Sequence, residues 1–139
     1  LAAEALLTIA ALSGNAAHRT HAERMLQMVA GLAQRYPLGF ARWLCGMDFA
    51  AAPVEQVALA GAREHPGMRA MLDVVRAQWA PHRVTALADD AAPPDAPTIL
   101  AGRGMRDGQP TAYVCTAFTC SAPITTADEL ARRLRGARA

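Results

Sequence analysis

Lysine is absent from this chain: all 14 basic residues are arginine. Against 12 acidic residues they leave a net charge of +2, too small a field to single out nucleic acid or an anionic membrane as a partner. The arginine bias, together with the excess of alanine, reads as genome base composition, not as phosphate recognition. Cysteine is scarce. Three cysteines, an odd number, argue against a disulfide framework and for a reducing, cytoplasmic setting. The opening apolar segment Leu1–Leu12 is too short to cross a bilayer, carries Glu4, and has no basic leader or cleavage signal. An initiator methionine is also missing, and the expectation is a fragment that has lost its N-terminal side. No serine–histidine–acid order, nucleophile elbow, metalloprotease helix, dinucleotide glycine loop or Walker lysine is present. The catalytic residues are therefore unknown from sequence, and neither a metal nor a cofactor is expected.

What is present suits one folded domain. At 139 residues with 53% hydrophobic content, the chain is long enough for a core and too apolar to be disordered. Leu1, Ala5, Leu6, Ile9 and Leu12 fall at helical spacing, and Ser13-Gly14-Asn15 supplies a stop. The pattern Thr20-His21-Ala22-Glu23 forms a capping box that predicts a second helix starting at Thr20. Its buried stripe would be Ala22, Met25, Met28, Val29 and Leu32, and it ends before Pro37. Two helices on a short connection imply an antiparallel hairpin. A third helix is expected over about 40–49, with Phe40, Trp43, Leu44 and Met47 on one side.

Character changes at Pro53, which divides the chain into a helical unit, 1–52, and a small α/β unit, 53–139. The run Val57–Gly61 fits a strand buried on both faces. Met68, Met71, Leu72, Val75 and Trp79 mark a helix, and Val84–Ala88 a second strand, giving a right-handed βαβ unit with parallel pairing. Thr98-Ile99-Leu100 fits either a short strand or an apolar plug. Thr111–Cys115 is a further strand. Thr126 and Glu129 form a capping box for a last helix docked by Leu130 and Leu134; the arginines 132–138 are its solvated end. The fold class expected is thus α-rich, helical hairpins followed by α/β, with a short, mostly parallel sheet.

Three constellations are candidates for chemistry. Cys115 and Cys120 bracket four residues that can bring two sulfurs together. The favoured reading is two small buried side chains around a tight turn, since redox motifs place their thiols at a helix N-terminus and zinc would need further ligands. Metal or redox use is the alternative. Arg63 and His65 follow the first strand, and Asp89 and Asp90 follow its parallel neighbour. In parallel α/β units ligands bind beyond such strand ends, so these four form a candidate ligand pocket, although a three-stranded sheet makes only a small crevice. His18 and His21 have metal-pair spacing, but the capping box puts His18 ahead of the helix, and a surface role is expected.

Taken in order, the helical hairpin over 1–35, Val57–Gly61, Met68–Trp79, Pro81–Leu87 and above all Pro110-Thr111-Ala112-Tyr113-Val114-Cys115 with Phe118, Cys120, Pro123, Thr126 and Glu129-Leu130 carry a resemblance. The chain resembles the C-terminal end of the thioredoxin-domain-containing proteins related to bacterial YyaL and the spermatogenesis-associated thioredoxin-like proteins. The resemblance implies an upstream thioredoxin-like domain and a large (α/α)6 toroid similar to sugar epimerases and glycosidases. Residues 1–52 would be its last helices and 53–139 an appendage. The partner implied is the missing N-terminal portion of the same polypeptide. Two functions follow: a scaffold segment of a carbohydrate-active toroid, or a thiol-dependent redox or metal-binding module built on Cys115 and Cys120.

Overall fold

The computed structural model describes residues 2–89 and 92–136. Helix α1 spans Ala2–Ser13 and ends where Gly14, at φ +72°, turns the chain, the left-handed position that glycine fills without a Cβ penalty. Helix α2 spans Ala16–Arg35, and the Asn15 side chain accepts from the Ala17 N–H at 2.9 Å. It therefore starts before Thr20. Asn15 is itself a strong N-cap and the alanines after it are strong helix formers, so the Thr20–Glu23 pattern lies within the helix. Glu23 there receives a bond from Arg19 Nε at 2.7 Å.

The buried stripes match those expected only in part: Ala22 is buried and Met25 packs against the core, as expected. On α1 they are Ala3, Leu7 and Ala10, and on α2 Ala22, Leu26 and Ala33. The two helices close on alanines because small side chains let the backbones approach. The larger Ile9, Met28 and Leu32 are left exposed; Leu1 lies outside the described residues. A 3-10 turn over Pro37–Phe40 leads into helix α3, Ala41–Ala51. A Cβ on Gly46 would stand 3.3 Å from Leu26 Cδ2, so α3 rests directly on α2. Leu7, Ala22 and Leu26, with Trp43 and Met47 packed against them, form the core of this helical part.

The remainder folds as strand β1 (Glu55–Ala60), helix α4 (Pro66–Arg76), strands β2 (Arg83–Ala88), β3 (Thr111–Thr116) and β4 (Thr119–Cys120), and helix α5 (Ala127–Gly136). The sheet order is β2-β1-β3-β4. β1 and β2 pair in parallel, with Val57 opposite Thr85, as the strand–helix–strand pattern predicts. β1 with β3 and β3 with β4 are antiparallel, so the sheet is mixed and four-stranded, not mostly parallel. The reason lies in the connection after β2. Among its described residues there is no α-helix to carry the chain back across the sheet, only a 3-10 turn at Thr98–Leu100, so β3 starts at the end where β2 stopped and must run the other way.

Alternation along β1 sets up two cores. Val57 and Leu59 face Met68 and Met71 of α4 and Leu130 and Leu134 of α5. Ala58 faces the other way, with Val84, Tyr113, Cys115, Ile99 and Leu100, and with Leu12 of α1 and Phe49 of α3 against them. The segment 98–100 is thus the apolar plug, not a strand. Helix α4 ends at Arg76, short of Trp79, which is exposed and outside the stripe expected for it. Arg83 closes that end, donating to Val75 O and Gln78 Oε1 while its Nε pairs with Glu55 across the parallel strands. α5 is capped as expected: Thr126 Oγ1 accepts from Glu129 N–H. Arg138 lies outside the described residues.

Candidate functional site: the cystine hairpin

β3 and β4 form a hairpin in which Cys115 faces Cys120 and Thr116 faces Thr119. A two-residue turn favours φ > 0 at both central positions, normally supplied by Asn-Gly. Here Ala117 and Phe118 take φ +48° and +63°, a conformation that costs a non-glycine residue free energy. Buried Gln56 holds it in place. Its Oε1 accepts from the Phe118 N–H at 2.8 Å and its Nε2 donates to Ala11 O at 2.6 Å, tying the turn to the end of α1. The Phe118 ring lies over Gly14, where a Cβ would meet it at 3.4 Å. Thr98 adds a second tie, donating to Ser13 O at 2.7 Å.

The two facing cysteines are joined as a disulfide, with Cα atoms 3.9 Å apart. The odd cysteine count argues against a disulfide framework, yet two of the three are linked, and of the two side chains expected to be buried around a tight turn only Cys115 is. Cross-strand registry puts both side chains on one face of the sheet, and a two-residue turn leaves them no room to separate. Their surroundings differ. Cys115 is 2% exposed, whereas Cys120 is partly open to solvent. Arg103 reaches in from the turn after the plug, with Nη2 2.8 Å from Cys120 Sγ. Its Nη1 donates to the carbonyls of Thr98, Ile99 and Ala101, so the guanidinium is fixed by main chain. A hollow of about 550 Å³ opens beside the turn, lined by Ala10, Gly14, Arg19, Ala51, Pro53 and Phe118.

The second candidate is not assembled as one pocket. His65 is the N-cap of α4, its Nδ1 accepting from Gly67 N–H at 3.1 Å. Arg63 lines one hollow with Leu72, Arg76 and Arg83. Asp89 lines another, with Pro93, Asp95 and Leu100. Asp90 lies outside the described residues. Beyond β1, the entry to β3 packs against the chain. Gly61 sits there at φ +138°, and a Cβ on it would meet Pro110 Cα at 3.1 Å.

His18 and His21 both belong to α2, so His18 does not precede the helix. His21 Nδ1 is 2.7 Å from Ala17 O. Among the described residues, no three His, Cys, Asp or Glu side chains gather in a metal-binding group. Cys45 is a free, exposed thiol on α3. No helix among the described residues is long and apolar enough to cross a membrane.

Sequence reasoning missed Gln56, Arg103 and the Ala117–Phe118 turn. Gln56 carried a readable signal, an amide immediately before the apolar run 57–60. Arg103 carried none, since it sits in a glycine-rich turn among exposed residues.

The fold and site define a mixed α/β chain with a helical hairpin packed on a cystine-bearing sheet. Comparison with protein-family models, with curated proteins and with solved structures found no match to this chain.

Proposed function

We propose that this chain is the C-terminal scaffold segment of a thioredoxin-domain-containing (α/α)6-toroid protein of the epimerase or glycosidase kind, working in the cytoplasm. Residues 1–52 contribute wall helices and 53–139 form the subdomain that braces them. The N-terminal portion of the same polypeptide is the partner. No residue of this segment is assigned to catalysis.

The observation that carries this reading is an unpartnered apolar face. Met28 and Leu32 stand four residues apart and so share one side of α2, and Tyr36, exposed as well, caps its C-terminal end. Met28 is 77% exposed, and Leu38 in the following turn 95%. Large side chains aligned this way on a surface mark a place for another polypeptide. The helical hairpin and the motif running from Pro110 to Glu129-Leu130, on which the resemblance rests, support the choice of the N-terminal portion as that polypeptide. The test compares Met28→Glu with Leu32→Glu in the longer polypeptide and in this chain alone. Each buried Leu or Met contributes about 1.5–3 kcal/mol, so the pair should cost the longer polypeptide several kcal/mol in denaturant titration and this chain almost nothing. An equal, small effect in both contradicts the reading.

The cystine favours a second reading, a thiol-dependent module. Two cysteines held face to face beside an arginine have the elements of thiol–disulfide chemistry. With both sulfurs engaged in the disulfide, the redox branch is preferred to the metal-binding one.

A further inference from the structure

We propose that Cys115 and Cys120 form a directional thiol–disulfide exchange site, with Cys120 as the attacking sulfur, Cys115 as the resolving sulfur and Arg103 as the positioning residue. The inference rests on the thiol-dependent reading above and specifies its substrate class, disulfides of proteins or small molecules, and the order of its steps.

Two independent features give the direction, and a third keeps the sulfurs together. Exposure is unequal: an incoming sulfur can reach Cys120, while Cys115 is packed with Ala58, Tyr113 and Ile99. Charge is unequal as well. Arg103 Nη2 is within 2.8 Å of Cys120 Sγ, and its other contacts are carbonyls, not carboxylates. Its positive charge therefore remains available to a sulfur anion, and a cation beside a thiol favours the thiolate that does the chemistry. Finally, the hairpin does not depend on the S–S bond for its shape. Gln56 grips the turn through Phe118 N–H, and Ser121 N–H donates to Val114 O at 3.0 Å. Reduction leaves the two sulfurs apposed, as a resolving step requires.

In the dithiol form the Cys120 thiolate attacks one sulfur of a substrate disulfide. A Cys120–substrate S–S bond forms, the substrate S–S bond breaks, and the departing thiolate takes a proton from solvent. Cys115 then gives up its proton and attacks Cys120 Sγ. The Cys115–Cys120 bond forms and the second substrate thiolate leaves, taking up a proton. Two electrons have passed from the cysteine pair to the substrate, which ends as two thiols. A dithiol of the thioredoxin type or dithiothreitol reverses the sequence, attacking Cys120 first.

The test uses the full chain with Cys45→Ser, because Cys45 would react with the same probes. Dithiothreitol is expected to reduce the pair under native conditions. Resistance to it would sink the thiol-dependent reading and the inference with it. The reduced protein is then alkylated with iodoacetamide across a pH series and the sites are mapped by mass spectrometry. Cys120 should be labelled at least about tenfold faster than Cys115 at neutral pH, with a midpoint below the ordinary thiol value of about 8.5. Arg103→Gln should raise that midpoint, and Arg103→Lys, which keeps the charge, should largely restore it. Equal labelling of both cysteines, or a midpoint unmoved by Arg103→Gln in a chain of native circular dichroism, overturns the direction while leaving the exchange reading standing. If Arg103→Gln does not fold, the dithionitrobenzoate reaction decides the order. Cys115→Ser should hold a stable mixed disulfide on Cys120, and Cys120→Ser should react far more slowly. The reverse pattern overturns it.

Discussion

The sheet half and the helical half of this molecule are built to different standards of closure. In the sheet half, Val57 and Leu59 meet α4 and α5 on one side, and Ala58 meets the plug, α1 and α3 on the other. The central strand is sealed by its own chain. In the helical half, α1, α2 and α3 close on Leu7, Leu26 and a set of alanines and leave Met28, Leu32, Tyr36 and Leu38 outside. The difference teaches where stability and association reside. A sheet covered on both faces supplies most of the buried area. Helices covered on one face leave the apolar side chains of the other open to solvent.

The largest effect should come from the sealed half. Leu59→Ala removes a fully buried side chain facing two helices and should cost about 3–5 kcal/mol, read from urea denaturation. A loss below about 1 kcal/mol would mean that the sheet is not the main core.

The link between the halves comes next. Gln56→Ala strands the Phe118 N–H and the Ala11 carbonyl together. Leaving buried polar groups unpaired costs about 1–3 kcal/mol each, and hydrogen exchange should speed up in both the 116–119 turn and the end of α1. Faster exchange at the turn alone would show that the amide does not couple the two regions.

A smaller gain is expected at the turn itself. Asparagine tolerates φ > 0 better than alanine, so Ala117→Asn should stabilise the chain by about 0.5–1 kcal/mol. Destabilisation there would argue that the hairpin does not hold the positive φ described.

Least of all should follow from Met28→Ala. A truncation at so exposed a side chain should fall within about 0.5 kcal/mol in this chain alone, as read by thermal melting. A core-sized loss would mean that Met28 is covered by its own chain and that the contrast between the halves is wrong.

How much of this was legible in the sequence follows the same division. Long-period and capping signals are local, and they located α1, α3, α4, α5 and the first three strands. The parallel β1–β2 pair was legible because a helix of the right length lies between them. Three things were not. The Thr20–Glu23 box misplaces the start of α2, because the cap is made by the single amide of Asn15, which also reads as part of the preceding stop. The direction of β3 depends on what the described residues of 89–110 fail to contain, and no residue there announces a reversal. The pairing of Cys115 with Cys120 needed β4, a two-residue strand too short to show any period. Arg63 and Asp89 follow the two parallel strands as the pattern predicts, but they line separate hollows, and packing of that kind is not written in spacing. The stripes on α1 and α2 were partly misassigned for a related reason. Hydrophobicity ranks Met and Leu above Ala, whereas close helix contact selects Ala.

Sedimentation velocity on this chain, alone and with Met28→Glu and Leu32→Glu combined, tests most directly that the outer face of α2 is shaped for further polypeptide. The account predicts concentration-dependent self-association that the double substitution abolishes without loss of helical circular dichroism. A monomer at every concentration, identical with and without the substitutions, would contradict it.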